Sequence, residues 1–419
     1  MSDKLSTESY KGVRDFYPED WARMQAMWSG IRTVLAKAGY EEYQASPLER
    51  AELYEAKTSE EIVSEQTYTF TDRGDRRVTL RPEMTPTLAR MVAAKRRELA
   101  FPLRWFSIGN RFRYERPQKG RLREFYQADI DLVGANEGEA DYEVVELAAR
   151  ILKSFGAKDA DFVIRMSSRP LLTAACTAAG LTGDAVRQYL RLLDKKDKMT
   201  PEAFAEASRA IHVNDPLDFI ENDGRDATVA AEKKKLLDRI GFLAARGVPN
   251  VVFDPTITRG FDYYTGMVFE VYDTNPANPR ALFGGGRYDR LVALFGGDPI
   301  PAVGFALGDV TLADFVEVHG LSLDLGTNRP QLYLGTPQEG DIPEAQKFAE
   351  TLRAQGSRVF VNLSGKSLGD QIKDAVKRGI PYFAAYGADE LANDTLRIKT
   401  LATGEETGLP LTAVPNFVK

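Results

Sequence analysis

The chain is poor in cysteine and histidine and contains no long apolar run. Its one cysteine, Cys176, excludes an internal disulfide framework. The two histidines, His212 and His319, lie too far apart in sequence to form a local zinc motif, so we expect no metal site built from protein ligands. No apolar stretch approaches the roughly 20 residues of a membrane helix, and the first residues contain no apolar core of a secretory signal. The sequence therefore predicts a cytoplasmic protein with no membrane partner.

Size and composition indicate an ordinary globular protein with more than one domain. The 419 residues are 43% hydrophobic and 28% charged. At roughly 150 residues per domain, this length predicts about two or three domains. Because the net charge is -6, any nucleic-acid partner must meet local basic surfaces rather than a global positive field.

Residues 258–273, TRGFDYYTGMVFEVYD, bring an arginine and two tyrosines to the start of a predicted strand. The alternation of Val268, Glu270 and Tyr272 with their neighbours has the two-residue period of a pleated strand. Arg259 and Tyr264 then enter from its N-terminal end, as in the wall of a pocket. An ordinary core strand with a satisfied arginine is the alternative.

Two peptides resemble the signature peptides of histidyl-tRNA synthetases: RGFDYYTG at 259–266 and GGGRYDRL at 284–291. This resemblance implies that Arg259, Tyr264 and Tyr288 contact histidine, with Arg259 also catalytic. We expect the three glycines to lead into an apolar helix. Their spacing matches neither a Walker nor a dinucleotide-binding loop.

Residues 20–38 have apolar side chains at helical spacing and predict an amphipathic helix that ends near Gly39. The extended segment that follows contains Pro47, which bars a central-strand hydrogen bond there. The pair resembles the first motif of class II aminoacyl-tRNA synthetases, which implies a homodimer.

The segment TLRPEMTPTLARMVA at 79–93 predicts a helix with Thr85 as its N-cap and Pro86 at its first position. Glu83 is then held just outside the helix, either as a ligand-binding acid or as a solvent-exposed one. By resemblance, Glu83 and Thr85 bind the α-ammonium group of histidine.

Residues 104–134 predict two strands joined by a Pro-Gln-Lys-Gly loop, with one charged and one apolar face. The alternative is an ordinary hairpin with one face packed against the core and the other exposed to solvent. Arginines, an amide and carboxylates on adjacent strands also suit a triphosphate beside an amino acid.

This hairpin resembles the second class II motif, and the resemblance implies a role for each polar position. Arg113 would bind the α-phosphate and act in catalysis, and the remaining contacts would be Glu115 to the adenine amino group, Arg121 to the terminal phosphates, Phe125 to the adenine face, Gln127 to the α-ammonium and Asp131 to the imidazole. Asp131 stands where many bacterial relatives have glutamate.

Residues 301–315, PAVGFALGDVTLADF, resemble the third class II motif in the glycine that begins its helix but not in its key arginine. Thr311 occupies that position, so the cation that covers adenine and touches the γ-phosphate has no counterpart. Either Arg121 or another nearby arginine compensates for this loss, or the protein is no longer catalytically active.

The expected fold class is an α+β class II synthetase catalytic domain, an antiparallel sheet flanked by helices, with a helical insertion and a C-terminal α/β anticodon-binding-like domain. The predicted boundaries are 1–167 and 251–320 for the catalytic domain, 168–250 for the insertion, 321–330 for a linker and 331–419 for the C-terminal domain. The insertion reads equally well as a lid or as a plain subdomain.

The C-terminal segment alternates strand and helix and predicts a parallel sheet with right-handed crossovers. Four basic side chains recur on or near its second predicted helix, Lys366, Lys373, Lys377 and Arg378. They either meet tRNA phosphates or form a solvated helix face.

The resemblance implies a histidine–tRNA ligase that takes ATP with Mg²⁺, L-histidine and tRNA(His), without a tightly bound cofactor. A catalytically inactive, histidine-binding regulatory protein of the ATP phosphoribosyltransferase type is the main alternative, favoured by Thr311. A class II ligase for another amino acid would need a different pocket.

Overall fold

A computed structural model of the chain describes residues 5–55, 66–118, 120–196, 199–211, 215–259, 263–325 and 329–418. The chain divides into two compact units, residues 1–325 and 326–419. Each unit has its own hydrophobic core. No helix within the described ranges is both long and apolar enough to cross a membrane.

The N-terminal unit contains eleven strands and ten helices within its described residues. The strands are β1 Glu41–Glu42, β2 Leu48–Arg50, β3 Tyr68–Thr71, β4 Arg77–Leu80, β5 Leu103–Phe112, β6 Glu124–Val133, β7 Phe162–Ser168, β8 Val251–Phe253, β9 Met267–Asp273, β10 Ala281–Arg287 and β11 Ala302–Gly308. The helices are α1 Pro18–Lys37, α2 Ala51–Glu55, α3 Thr85–Lys95, α4 Glu139–Ser154, α5 Arg169–Ala178, α6 Asp184–Asp194, α7 Pro201–Ile211, α8 Pro216–Glu221, α9 Ala227–Ala245 and α10 Asp309–Val318.

Eight of these strands form one sheet in the order β1-β5-β6-β11-β10-β9-β7-β8. The pairs β1–β5 and β7–β8 are parallel, and every other neighbouring pair is antiparallel. A second sheet of three strands has the order β2-β4-β3. The sheet class predicted from the sequence is confirmed, with parallel pairing only at its two edges.

Helix α1 confirms the helical pattern of residues 20–38. Its apolar stripe of Met24, Trp28, Ile31 and Leu35 is buried, and the helix packs on α4. Trp21 stays partly exposed, in edge contact with the Tyr126 ring. Helical spacing thus identified the packed face correctly, apart from its first residue.

Between β7 and β8 the described chain is helical, from α5 to α9. Asp215 and Asp226 cap α8 and α9 by accepting hydrogen bonds from backbone amides of the first turn. The buried Tyr189 hydroxyl of α6 donates to the Asp215 carboxylate at 2.9 Å, which ties two of these helices together. His212 lies outside the described residues.

The three glycines of GGGRYDRL do not precede a helix; that prediction was wrong. Gly284, Gly285 and Gly286 lie inside strand β10, and Val292–Phe295 beyond it form only a short 3-10 turn. A β-carbon on Gly285 would collide with the Gly304 carbonyl oxygen, and one on Gly286 would lie 2.5 Å from the Met267 carbonyl oxygen. The glycines are therefore needed for close strand contact rather than for a turn.

The predicted hairpin is confirmed as β5 and β6, which pair antiparallel over their full length. Its two faces are not one packed and one wet, because every residue from Gln127 to Val133 is buried. The charged face lies inside the protein, where polar side chains require partners. Strand β5 ends at Phe112, so Arg113 and Glu115 follow the strand rather than belong to it.

The C-terminal unit is a five-stranded sheet, order β13-β12-β14-β15-β16. Its elements are β12 Leu332–Gly335, α11 Ile342–Ala354, β13 Val359–Val361, α12 Leu368–Lys377, β14 Tyr382–Ala385, α13 Ala388–Asn393, β15 Thr395–Thr400, β16 Glu406–Pro410 and α14 Val414–Phe417. The predicted parallel pairing holds for β12 with β13 and β14. The sequence reading missed β15 and β16, which extend the sheet antiparallel.

Candidate active site

A cavity of about 130 Å³ opens on the main sheet of the N-terminal unit, and we call it the deep cavity. Eight of the eleven predicted site residues line it: Glu83, Thr85, Arg113, Gln127, Asp131, Arg259, Tyr264 and Tyr288. These side chains come from five separate parts of the chain. The fold therefore brings together most of the residues that the sequence motifs selected.

Glu83 is buried at the start of α3 rather than exposed on a turn. The Tyr263 hydroxyl donates to its carboxylate at 3.0 Å. Burial raises the pKa of Tyr263 well above its usual range, so this phenol remains a donor. Thr85 is the first helical residue and Met84 the N-cap, one position earlier than the predicted N-cap at Thr85.

Asp131 lies on β6 and is 3% exposed. The Tyr288 hydroxyl donates a hydrogen bond to its Oδ1. Its Oδ2 has no hydrogen-bond partner among the described residues. Burial raises the pKa of Asp131 to about 8, although the bond from Tyr288 opposes that shift. Asp131 thus offers the cavity a proton and one unsatisfied oxygen.

A buried polar chain supports Asp131 from the neighbouring positions of the hairpin. Gln127 donates to Asp129 at 2.7 Å, and Arg111 donates to the other oxygen of Asp129 at 2.5 Å. Arg111 is fully buried. Such a buried ion pair requires close geometry to offset the loss of hydration, so it fixes the Gln127 amide at the cavity wall.

Arg259 is largely buried and joins two strands. It donates to the Glu270 carboxylate of β9 at 2.8 Å and to the Gly284 carbonyl of β10 at 3.2 Å. Burial lowers its pKa, but Tyr264 and Glu270 outweigh that effect and raise it above the usual range. Its backbone has φ of 60°, a left-handed conformation that is strained in residues with a β-carbon. The next three residues of the signature peptide lie outside the described chain.

Arg113 borders the deep cavity and follows directly after the last residue of β5. Its Nε donates to the Pro82 carbonyl at 3.0 Å, and its guanidinium lies 5.2 Å from the centroid of the Phe125 ring. Burial lowers its pKa, although nearby carboxylates oppose that shift. The remaining three predicted residues, Glu115, Arg121 and Phe125, follow Arg113 along the chain, and Arg121 pairs with Glu115 at 3.4 Å. Glu115, Arg121 and Phe125 therefore sit beside the deep cavity rather than in its wall.

Tyr288 is positioned by its neighbour Arg287, which is 2% exposed. Arg287 donates to Asp141 of α4 at 2.8 Å and to Asp289 at 3.0 Å. The pair with Asp141 holds the end of β10 against α4, and the pair with Asp289 fixes the residues that follow the strand. The pairing leaves the Tyr288 ring free to face Asp131 and Tyr263, whose ring centroid is 5.7 Å away.

Sequence reasoning missed five residues of the cavity wall: Asp129, Tyr263, Gly304, Phe305 and Ala306. Tyr263 stands beside the selected Tyr264, and Asp129 lies between the selected Gln127 and Asp131, so period and adjacency offered a signal for both. Gly304 and Phe305 of β11 gave no such signal. A β-carbon at Gly304 would collide with Asp131 Oδ1, and this requirement is visible only once the strands are paired.

A second, more exposed cavity of about 510 Å³ is lined by the hairpin loop, by the loop between β9 and β10, and by α10; we call it the open cavity. Thr311, in the position of the expected arginine, lines it. The Thr311 hydroxyl donates to the Leu282 carbonyl at 2.6 Å. Residue 311 therefore supplies no cation to this cavity.

Two family models match the chain. The model described as "Histidyl-tRNA synthetase" matches residues 12–312. The model described as "Anticodon binding domain" matches residues 332–419.

Relatives with the same printed name align over nearly the full chain. A "Histidine--tRNA ligase" from Leptospira biflexa serovar Patoc is 39% identical over 96% of this chain and 94% of its own length. A protein of that name from Halobacterium salinarum is 38% identical over 99% and 97%, and one from Opitutus terrae is 37% identical over 98% of each.

Solved structures show the same fold at lower sequence identity. The histidyl-tRNA synthetase from Nostoc sp. PCC 7120 has a TM-score of 0.76 and 24% identity and covers 99% of both chains. A protein titled "ATP phosphoribosyltransferase regulatory subunit/histidyl-tRNA synthetase" from Bacillus halodurans has a TM-score of 0.72 and 24% identity, over 89% of this chain and 97% of its own. The matched family model covers well over half of the sequence, and the chain belongs to the histidyl-tRNA synthetase family.

Proposed function

We propose that this protein is a histidine–tRNA ligase, which activates histidine with ATP and transfers it to tRNA(His). The observation that carries the proposal is the deep cavity, whose wall combines carboxylates with two arginines. Family membership and the matched anticodon-binding model support the same function. A zwitterionic amino acid with a polar ring needs this combination of groups.

Histidine would be held by three sets of contacts. Glu83, Thr85 and Gln127 receive the α-ammonium group, since Glu83 and Gln127 are buried acceptors fixed by their own hydrogen bonds. Asp131 and Tyr288 receive the imidazole, where the unsatisfied Asp131 oxygen provides a partner. Tyr264 and Arg259 close the wall nearest β10.

The first chemical step is attack of the histidine carboxylate oxygen on the α-phosphorus of ATP. A bond forms between that oxygen and phosphorus, the bond to the β-phosphate oxygen breaks, and pyrophosphate leaves. Arg113 and Arg259 would stabilise the negative charge that gathers on the α-phosphate oxygens. Neither arginine needs to move a proton, so their buried, fixed positions suit the step.

Adenine and the outer phosphates would be bound outside the deep cavity. Phe125 offers an aromatic face, Glu115 an acceptor for the adenine amino group, and Arg121 a cation for the terminal phosphates. The second step then joins the histidyl carbonyl to a ribose hydroxyl of the tRNA 3′ end, with AMP as the leaving group.

Magnesium fits this arrangement as an ion held mainly by ATP. Mg²⁺ on a nucleotide takes most ligands from phosphates and water and needs only one or two protein carboxylates. Glu115 is assigned to adenine, so Mg²⁺ would take its ligands from the ATP phosphates and water, beside Arg121, the cation assigned to the terminal phosphates. When bound, Mg²⁺ would neutralise charge on the phosphates.

We also propose a cytoplasmic homodimer, on the resemblance of the first motif.

The test is histidine-dependent exchange of pyrophosphate into ATP, with Arg259→Ala and other amino acids as comparisons. We expect exchange with histidine alone, and its loss in Arg259→Ala under conditions in which circular dichroism shows that the variant is folded. The second candidate, a histidine-binding regulatory protein, is favoured by Thr311 alone. Histidine binding by calorimetry with no exchange in the wild type would select that candidate.

A further inference from the structure

The open cavity contains an arginine that the family motifs do not assign. Arg280 lines this cavity together with Thr311. It lies at the end of the loop between β9 and β10, one residue before β10 begins. A β-carbon built on Gly120 would lie 3.8 Å from Arg280 Cδ and 4.0 Å from Thr311 Cγ2. Arg280 and Thr311 therefore approach the same point of the hairpin loop.

The loop that carries Arg280 is held in place by Asp273. This carboxylate accepts hydrogen bonds from the Asn275 amide at 2.7 Å and from the Asn278 side chain at 2.8 Å. It also contacts the His319 ring at 2.8 Å, at the end of α10. Thr311 belongs to α10, so the contact between Asp273 and His319 fixes the position of the loop relative to the helix that carries Thr311. Arg280 is thus held at the cavity by buried contacts, although its own side chain is exposed.

Three other arginines of this unit already have protein partners. Arg14 pairs with Asp309 at 2.5 Å, and Arg121 pairs with Glu115 at 3.4 Å. Arg113 donates to the Pro82 carbonyl. No hydrogen bond or ion pair of Arg280 is found within the part of the chain that the structure describes. Arg280 is the one arginine among the described residues that line the open cavity, and its guanidinium can take a new anion without giving up a partner.

We propose that Arg280 binds the phosphates of ATP and supplies the cation that Thr311 does not. This inference rests on the proposed function, since it assigns a residue to the ATP step. A guanidinium in the wall of the open cavity can bind a nucleoside triphosphate because it forms paired hydrogen bonds to phosphate oxygens. Thr311 fits the same scheme, because its hydroxyl is bound to the Leu282 carbonyl and its small side chain leaves the cavity open.

The first experiment compares Arg280→Ala with Arg97→Ala in the pyrophosphate exchange assay. Arg97 is an exposed arginine just beyond α3 that lines neither cavity. We expect the KM for ATP to rise about tenfold or more in Arg280→Ala, the usual effect of losing a charge-assisted hydrogen bond. The KM for histidine should stay unchanged, and Arg97→Ala should behave as the wild type.

A second pair of variants tests whether Arg280 takes the place of residue 311. Adding Thr311→Arg to Arg280→Ala should lower the ATP KM again, and a double variant no better than Arg280→Ala overturns that assignment. An exchange-competent wild type with Arg280→Ala equal to Arg97→Ala overturns the role of Arg280 altogether. A wild type with no exchange contradicts the proposed ligase function instead, so the two failures are distinct.

Discussion

The deep cavity and the open cavity differ in how their polar groups are held. Asp131, Glu83, Gln127 and Arg259 of the deep cavity are mostly buried and bound to other side chains before any ligand arrives. The open cavity is larger, and its arginine is exposed. Binding to fixed groups loses little conformational entropy, whereas exposed side chains must be ordered by the ligand. Under the proposed function, the contacts to histidine would be fixed by the fold before binding, and the contacts to the phosphates would be ordered by ATP.

The difference also bears on position 311, where the resemblance to the third class II motif leads us to expect an arginine and the chain has a threonine. A cation near exposed phosphates can come from any loop that reaches them. Under our proposal, Arg280 therefore supplies the positive charge that Thr311 lacks. A buried contact such as the one between Tyr288 and Asp131 depends on two strands in register. We expect substitutions in the deep cavity to reduce activity more than matched substitutions in the open cavity.

The largest difference is expected between Arg113→Ala and Arg121→Ala. Arg113 borders the deep cavity and is the residue that we propose binds the α-phosphate, so its loss should lower kcat/KM for pyrophosphate exchange by about a hundredfold to a thousandfold. Arg121 is partly exposed and should cost only about tenfold, mainly in the KM for ATP. Steady-state exchange kinetics at varied ATP measure both. Equal losses would contradict the distinction between the two cavities.

A packing substitution sharpens the same comparison in stability rather than activity. In Gly285→Ala the new methyl group would meet the Gly304 carbonyl oxygen and the Phe305 backbone, neither of which can yield without shifting β11. We expect the free energy of unfolding to fall by about 2–4 kcal/mol, as measured by urea denaturation.

Gly241→Ala is the matched control for that substitution. Gly241 is an exposed glycine within α9, and a β-carbon there meets nothing within 4 Å. Alanine should stabilise this helix by up to about 1 kcal/mol. If both variants lost the same stability, close strand contact would not be the reason for glycine in β10.

The glycine strand also shows how far sequence reasoning reached. Local patterns identified α1, the hairpin and the β9 strand, because spacing alone reveals which side chains share a face. Three successive glycines look like a turn to the same reasoning, since only pairing with β9 and β11 creates the crowding that excludes larger residues. Family peptides selected Arg259, Tyr264 and Tyr288. The Arg111–Asp129 pair and Phe305 became visible only in three dimensions.

A pH effect is expected in the deep cavity because the pKa of Asp131 is raised to about 8. Below that pH the carboxyl holds a proton that it can share with a neutral imidazole. Above it the carboxylate has no proton to donate, so a complex in which Asp131 donates to the imidazole must take one up, and histidine affinity through that contact should fall about tenfold per pH unit. Calorimetry between about pH 6.5 and 9.5 follows this loss.

Asp131→Asn separates this titration from that of the ligand's own α-ammonium group. The variant should bind histidine about tenfold more weakly at neutral pH, because an amide replaces the carboxyl. Its affinity should then stay level through pH 8 and fall only where the α-ammonium group titrates. A variant with the wild-type pH profile would exclude Asp131 as the titrating group.

The smallest effect is expected in the C-terminal unit, on the basic side chains of α12 and the residues beside it. Lys373 and Arg378 are already paired, with Asp370 at 3.0 Å and Asp374 at 2.8 Å. Lys366 and Lys377 are exposed and have no ion pair within the described residues, so they are the ones available to tRNA phosphates. The double variant Lys366→Ala with Lys377→Ala should raise the KM for tRNA about twofold to tenfold and reduce its dependence on salt.

Lys373→Ala is the comparison for this pair, because its ammonium group is occupied by Asp370. It should change the KM for tRNA less than the double variant does. Pyrophosphate exchange needs no tRNA and should be unaffected in both, which separates the contribution of the C-terminal unit from that of the two cavities. If the double variant aminoacylates tRNA like the wild type at every salt concentration, this face of α12 is a solvated surface and the tRNA contacts lie elsewhere.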